Sequence, residues 1–165
     1  MLRTHPAAPG RLYAATGDGL MQAGHSWAES RDGGTSWHYA SQGLKAMPYL
    51  YGLAVNAGDP DDIRIAASPG VRAAHETGPS SIYRNVRGTW IEDAEGFPRA
   101  HSLAPVLAAD SIRAGRWYAL SNLGFFQKEP DEPGLASGSY ASGVARYASD
   151  VFRSASIMAW AKGFA

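Results

Sequence analysis

Ser30-Arg31-Asp32-Gly33-Gly34-Thr35-Ser36-Trp37 reads as a turn that closes on itself. It satisfies the pattern S-x-D-x-G-x-[ST]-W at each fixed position, through Ser30, Asp32, Gly34, Ser36 and Trp37. A carboxylate at the third position accepts hydrogen bonds from backbone N–H groups of its own turn, an Asx-type closure. Gly33 and Gly34 supply the positive φ that a tight connection needs. Trp37 then opens an outer strand, where its ring is expected to bury between neighbouring sheets.

Working outward, the stretch has an echo. Tyr83-Arg84-Asn85-Val86-Arg87-Gly88-Thr89-Trp90 places Asn85 on the Asp32 position and Trp90 on the Trp37 position, 53 residues further on. Asn85 still makes an Asx turn, but Arg87 stands where a glycine is wanted, so this turn is expected to be altered. Two other landmarks keep the period. Ala14, Ala66 and Ala119, each inside a strand-like segment, are 52 and 53 residues apart. Leu53-Ala54-Val55 lies 53 residues before Val106-Leu107-Ala108. In the second unit, residues 51–56, 64–68, 81–84 and 89–92 read as strands, and 58–61 and 85–88 as turns. These segments are too short and too rich in β-branched and aromatic residues for helix pairs. Four antiparallel strands in about 53 residues is the size of one β-propeller blade.

Composition agrees. The 165 residues include 19 Gly, 10 Pro and 18 aromatic residues, as in a turn-rich β protein. Fifteen basic and fifteen acidic side chains balance to zero, which argues against a dedicated nucleic-acid or anionic-membrane binder. The absence of cysteine excludes disulfides, thiol catalysis and cysteine-ligated metals. No apolar run approaches the roughly 20 residues of a membrane helix. Met1-Leu2-Arg3-Thr4-His5-Pro6 has no secretory h-region. The chain as written is therefore expected to be soluble and cytoplasmic, or extracytoplasmic if an N-terminal portion is missing.

On these residues the chain resembles the BNR/Asp-box β-propeller superfamily, which includes sialidases and other glycosidases, sortilin-type receptor propellers and photosystem assembly factors. The resemblance covers about residues 3–127. It implies an all-β partial propeller of about three four-stranded antiparallel blades, with an irregular or helical C-terminal tail. The units are about 1–49, 50–102 and an incomplete 103–127, followed by an Ala/Ser/Gly-rich tail over 128–165. The first unit is expected to lack its first strand. A third box in register would put its Asp near 138 and its Trp near 143, and both positions hold glycine. Residues 143–162 carry helical spacing in Val144, Tyr147, Val151, Ala155 and Met158, and a frameshifted or foreign tail explains the change equally well. Three blades leave edges that need covering by further blades or by self-association.

Asp boxes in such families sit away from the ligand face, so Ser30, Asp32, Gly34, Ser36, Trp37, Asn85 and Trp90 are assigned structural roles. The ligand face is expected at the loops between second and third strands and between blades. Its candidates are Asp18, Gln22 and His25, then Arg72, His75 and Glu76, then Tyr49, Tyr51, Glu95, Arg99 and His101. The loop holding Arg72, His75 and Glu76 is the richest cluster. Tyr13, Tyr51, Trp117 and Tyr118 lie in strands and read as core rather than as sugar platforms, and Trp27 has no repeat partner.

A glycosidase requires two carboxylates about 5–10 Å apart across the scissile bond. A sialidase further needs an arginine triad, for which Arg72 and Arg99 are the only plausible members. Glu76 with Asp18 or Glu95 forms the carboxylate pair only if adjacent blades bring them together, and the arginine triad is incomplete. The reading is thus a non-catalytic binding or scaffold propeller engaging a protein or glycan, with a fragment of a sialidase-like glycoside hydrolase as the alternative. Neither a cofactor nor a metal is expected.

Overall fold

The computed structural model describes residues 1–137, which form three four-stranded antiparallel sheets. The first contains β1 (Leu2–Thr4), β2 (Leu12–Ala15), β3 (Trp27–Ser30) and β4 (His38–Tyr39). The second contains β5 (Tyr49–Asn56), β6 (Asp59–Ser68), β7 (Ser81–Val86) and β8 (Thr89–Glu92). The third contains β9 (Val106–Ala109), β10 (Trp117–Ser121), β11 (Gly124–Lys128) and β12 (Ala136–Ser137). Strand order follows chain order in every sheet, as in a propeller blade. The helical reading of 143–162, and positions 138 and 143, lie outside the described residues.

Hydrophobic faces hold the sheets together. Tyr13, Ala15 and Trp27 of the first sheet meet Leu53, Ile63, Ile65, Ala67 and Trp90 of the second. Ala54, Ala66 and Ile82 of the second meet Leu107, Trp117, Ala119 and Phe126 of the third. The second sheet is therefore apolar on both faces, which explains its unbroken run of buried residues from Ile63 to Ser68. At the end of the sheets where β5 finishes, the backbone carbonyl of Asn56 bonds the His5 ring at 2.9 Å. The Asn56 side-chain oxygen accepts from the backbone N–H of Gly115 at 3.3 Å, so one residue links all three sheets.

Several expectations are corrected. The first unit does have its first strand, since Leu2 pairs Ala14 and Thr4 pairs Leu12. Three residues with two polar ones give no hydrophobic signal for it. The expected turn at 58–61 is the shorter Ala57-Gly58 hairpin, because Asp59 already pairs Asn56. Trp37 is not buried: it is 38% exposed, whereas its counterpart Trp90 is 2% exposed. Trp90 packs back onto the preceding sheet, edge-on to Trp27 at 4.9 Å and donating Nε1–H to the Ala40 carbonyl at 3.0 Å. Among the described residues no sheet precedes the first, so Trp37 has no such seat.

The third sheet also runs past residue 127, as far as Ser137. Its register slips because β10 and β11 are joined by only Asn122 and Leu123, where the first two sheets have long loops at 16–26 and 69–80. A repeated latch shows the true correspondence. The Trp90 N–H donates to the Gln42 carbonyl at 2.8 Å, and the Leu135 N–H donates to the Glu95 carbonyl at 2.7 Å. Gly43 and Gly96, which follow those carbonyls, both have positive φ and lie where a Cβ would collide with the Trp90 and Leu135 carbonyls. Leu135 thus occupies the Trp90 position, earlier than the 53-residue register expects.

Candidate functional site

The chain reverses at each strand, so the loops 16–26 and 69–80 and the start of β5 share one end of the sheets. The Asp32 turn, between β3 and β4, lies at the other end. There Asp32 accepts the Ser36 N–H at 2.8 Å, the Ser36 hydroxyl at 2.6 Å and the Ser30 hydroxyl at 2.9 Å. Ser30 Oγ in turn receives the Gly34 N–H at 2.8 Å. Led by the Ser36 bonds, these hold the Asp32 carboxyl at about 2, below its usual 3.8. Asn85 makes a reduced version, accepting the Gly88 N–H at 2.9 Å. Arg87 and Gly88 both take positive φ, the two-residue turn that fits a twisted hairpin.

At the loop end, Ser68 and Ser80 close the neck of loop 69–80 through a buried 2.7 Å hydroxyl pair. Inside it, Ala73–Thr77 forms a π-helical turn, sealed by the Gly78 N–H donating to the Ala73 carbonyl at 2.9 Å. The Ala104 N–H bonds the Ala74 carbonyl at 2.8 Å and docks the turn on the segment before β9. His75 projects from this turn and meets Tyr49 Oη through its Nε2 at 3.0 Å. Its ring stands edge-on to Tyr49 at 5.7 Å and to Tyr51 at 4.8 Å. Loop 16–26 closes over the same place: the Leu50 N–H donates to the Thr16 carbonyl at 3.0 Å. A Cβ on Gly17 would lie 2.8 Å from the Tyr49 ring, so the residue beside Asp18 has to be small.

The structure therefore gathers Asp18, Tyr49, Tyr51 and the Arg72, His75, Glu76 turn at one end. Arg72 and Glu76 form an exposed 3.5 Å ion pair. The 3-10 turn Arg99–His101 abuts the loop, with the Ser80 N–H on the Arg99 carbonyl at 3.3 Å. Arg99 itself points to Glu92, 2.6 Å away. Burial pushes the Glu92 carboxyl up, but hydrogen bonds from Ser81 and Arg99 outweigh it and hold the group below its usual range. His25 is not drawn into the cluster and packs against Tyr39 of the outermost strand, ring centres 4.0 Å apart and tilted by 35°. Tyr13, Trp117 and Trp27 are core, as is Trp90. Tyr51 is not: it is 41% exposed, because the pairing of β5 with β6 is irregular between Leu50 and Leu53. Strand periodicity alone could not reveal that irregularity.

No group of three or more metal-ligating side chains occurs among the described residues, and no helix there is long and apolar enough to cross a membrane. No protein-family model matches the chain, and no curated protein does. Among solved structures the chain is similar to an ancestral GH74 enzyme, a glycoside hydrolase built as a β-propeller. The match has a TM-score of 0.59 at 13% identity and covers 82% of this chain. The fold is that of a partial β-propeller. The chain spans 18% of that enzyme's length, so the likeness concerns blades and not a whole propeller.

Proposed function

We propose that this chain is a portion of an Asp-box propeller that binds a protein or glycan ligand through its loop end without catalysing a reaction. The observation that carries the reading is the cluster of Asp18, Tyr49, Tyr51, Arg72, His75 and Glu76, assembled from two blades by backbone latches. A glycosidase acid needs its carboxyl raised toward neutrality. Hydrogen bonds and neighbouring cations hold the carboxyls of Asp32, Glu92, Asp93 and Asp110 below their usual range. Glu76 lies exposed in an ion pair with Arg72 at 3.5 Å. Further blades or a second copy of the chain cover the Trp37 face in this reading.

A second reading, a fragment of a sialidase-like or other glycoside-hydrolase propeller, draws support from the likeness to the GH74 enzyme. Turnover of fluorogenic sialosides and simple glycosides by the full chain separates the two. The binding reading expects none. Turnover that disappears in Glu76→Gln replaces it with the hydrolase.

A further inference from the structure

We infer that Tyr51, Tyr49 and His75 form a subsite for a neutral oligosaccharide, an assignment that rests on the loop-end binding reading. Tyr51 is a large exposed aromatic residue on β5, whose other residues from Leu50 to Ala54 are buried. Its orientation is set by His75, edge-on at 4.8 Å, and His75 is pinned by Tyr49 Oη at 3.0 Å. The contact restrains the ring and so lowers the entropy cost of ordering it on binding. Leu20, Met21 and Val71, on the two loops at the same end of the sheets, are also exposed.

A pyranose offers a C–H face to an aromatic ring and a girdle of hydroxyls to polar groups. An aromatic lining with a few placed polar side chains is the general form of such sites. Arg72 supplies donors, and Asp18 and Glu76 supply acceptors whose bonds to hydroxyls are charge-assisted. These three side chains sum to one negative charge, which disfavours anionic sugars. They also give no cationic patch for a nucleic acid. A neutral saccharide satisfies both the ring and the charges.

The test is calorimetric titration of the full chain with maltohexaose, cellohexaose and xylohexaose, and with sialyllactose as the anionic comparison. Saturable binding of at least one neutral sugar, tighter than sialyllactose, is expected. Tyr51→Ala should weaken it by roughly three- to tenfold, the range of an aromatic contact. Tyr51→Phe should preserve it, and circular dichroism confirms that both variants fold. Tyr49→Phe, which releases the His75 ring, should weaken binding with the fold intact. A full chain that binds none of the neutral sugars, or binds them equally well as Tyr51→Ala, overturns the subsite. If such a chain still holds a protein partner through loops 16–26 and 69–80, only the saccharide assignment falls. Sugar protection mapped by amide exchange to the Asp32 turn overturns the loop-end reading as well.

Discussion

Asp32 and Tyr51 show how differently two side chains can be read from sequence. The hydrogen bonds of Asp32 are local, and motif spacing anticipates the backbone bond from Ser36 but not the hydroxyl bonds from Ser30 and Ser36. The carboxyl is held at about 2 in the folded chain against 3.8 ordinarily. A depressed folded-state value adds stability above the ordinary one and loses it as pH falls toward the folded one. Asp32→Asn is therefore expected to lower the melting temperature at pH 7, with a difference from wild type that shrinks between pH 4 and pH 2. Thermal melts across that window check it, and sugar binding by the folded variant should be unchanged. Tyr51 depends instead on a register irregularity between β5 and β6 and on a histidine from a loop 24 positions away, neither of which has a local signature.

Among the strands, the repeat was legible wherever loop lengths held. β5 to β8 fall close to the segments read from hydrophobic pattern and turn residues. The third sheet was not, because a two-residue connection before β11 shifts everything after it and Leu135 carries no trace of a box. The alanine landmark slips by one residue at Ala66, which faces the third sheet, whereas Ala119 faces the second and Ala14 lies on the face opposite Tyr13 and Ala15; a one-residue slip in a strand reverses the face. Trp90 and Trp37 occupy the same repeat position in different surroundings. Trp90→Ala is expected to cost about 3–5 kcal/mol as a buried aromatic truncation. Trp37→Ala should cost about 1 kcal/mol or less in the isolated chain, as an exposed substitution. Urea denaturation of the two variants tests this directly. Gly96→Ala forces a side chain into positive φ against the Leu135 carbonyl and should release β12, seen as faster amide exchange at Leu135.

The three sheets cohere through apolar faces and through charged contacts, Arg11 with Asp61 between the first two and Asp93 between the second and third. Asp93 accepts from Arg64 Nε at 2.9 Å and from Lys128 Nζ at 2.9 Å, tying the second sheet to the third. Arg64 also stacks on Trp117, with its guanidinium carbon 4.0 Å from the ring centre. Burial raises the Asp93 carboxyl, but the Lys128 bond and the Arg64 charge outweigh it and hold it below its usual range. The junction is thus intact at neutral pH and weakens as pH falls. Asp93→Asn leaves two largely buried cations short of a counter-charge and should destabilise the chain by about 3 kcal/mol, measured by urea unfolding at pH 7. On the proposed function the two ends of this assembly differ, one closing turns and the other meeting a ligand.

Amide exchange of the full chain with and without a saturating neutral hexasaccharide, run beside an assay for released sugar, tests that division most directly. Protection confined to residues 16–22, 49–51 and 71–76, with no sugar released, is the expected result. Protection at residues 30–37 and 85–90, or sugar release abolished by Glu76→Gln, would contradict it.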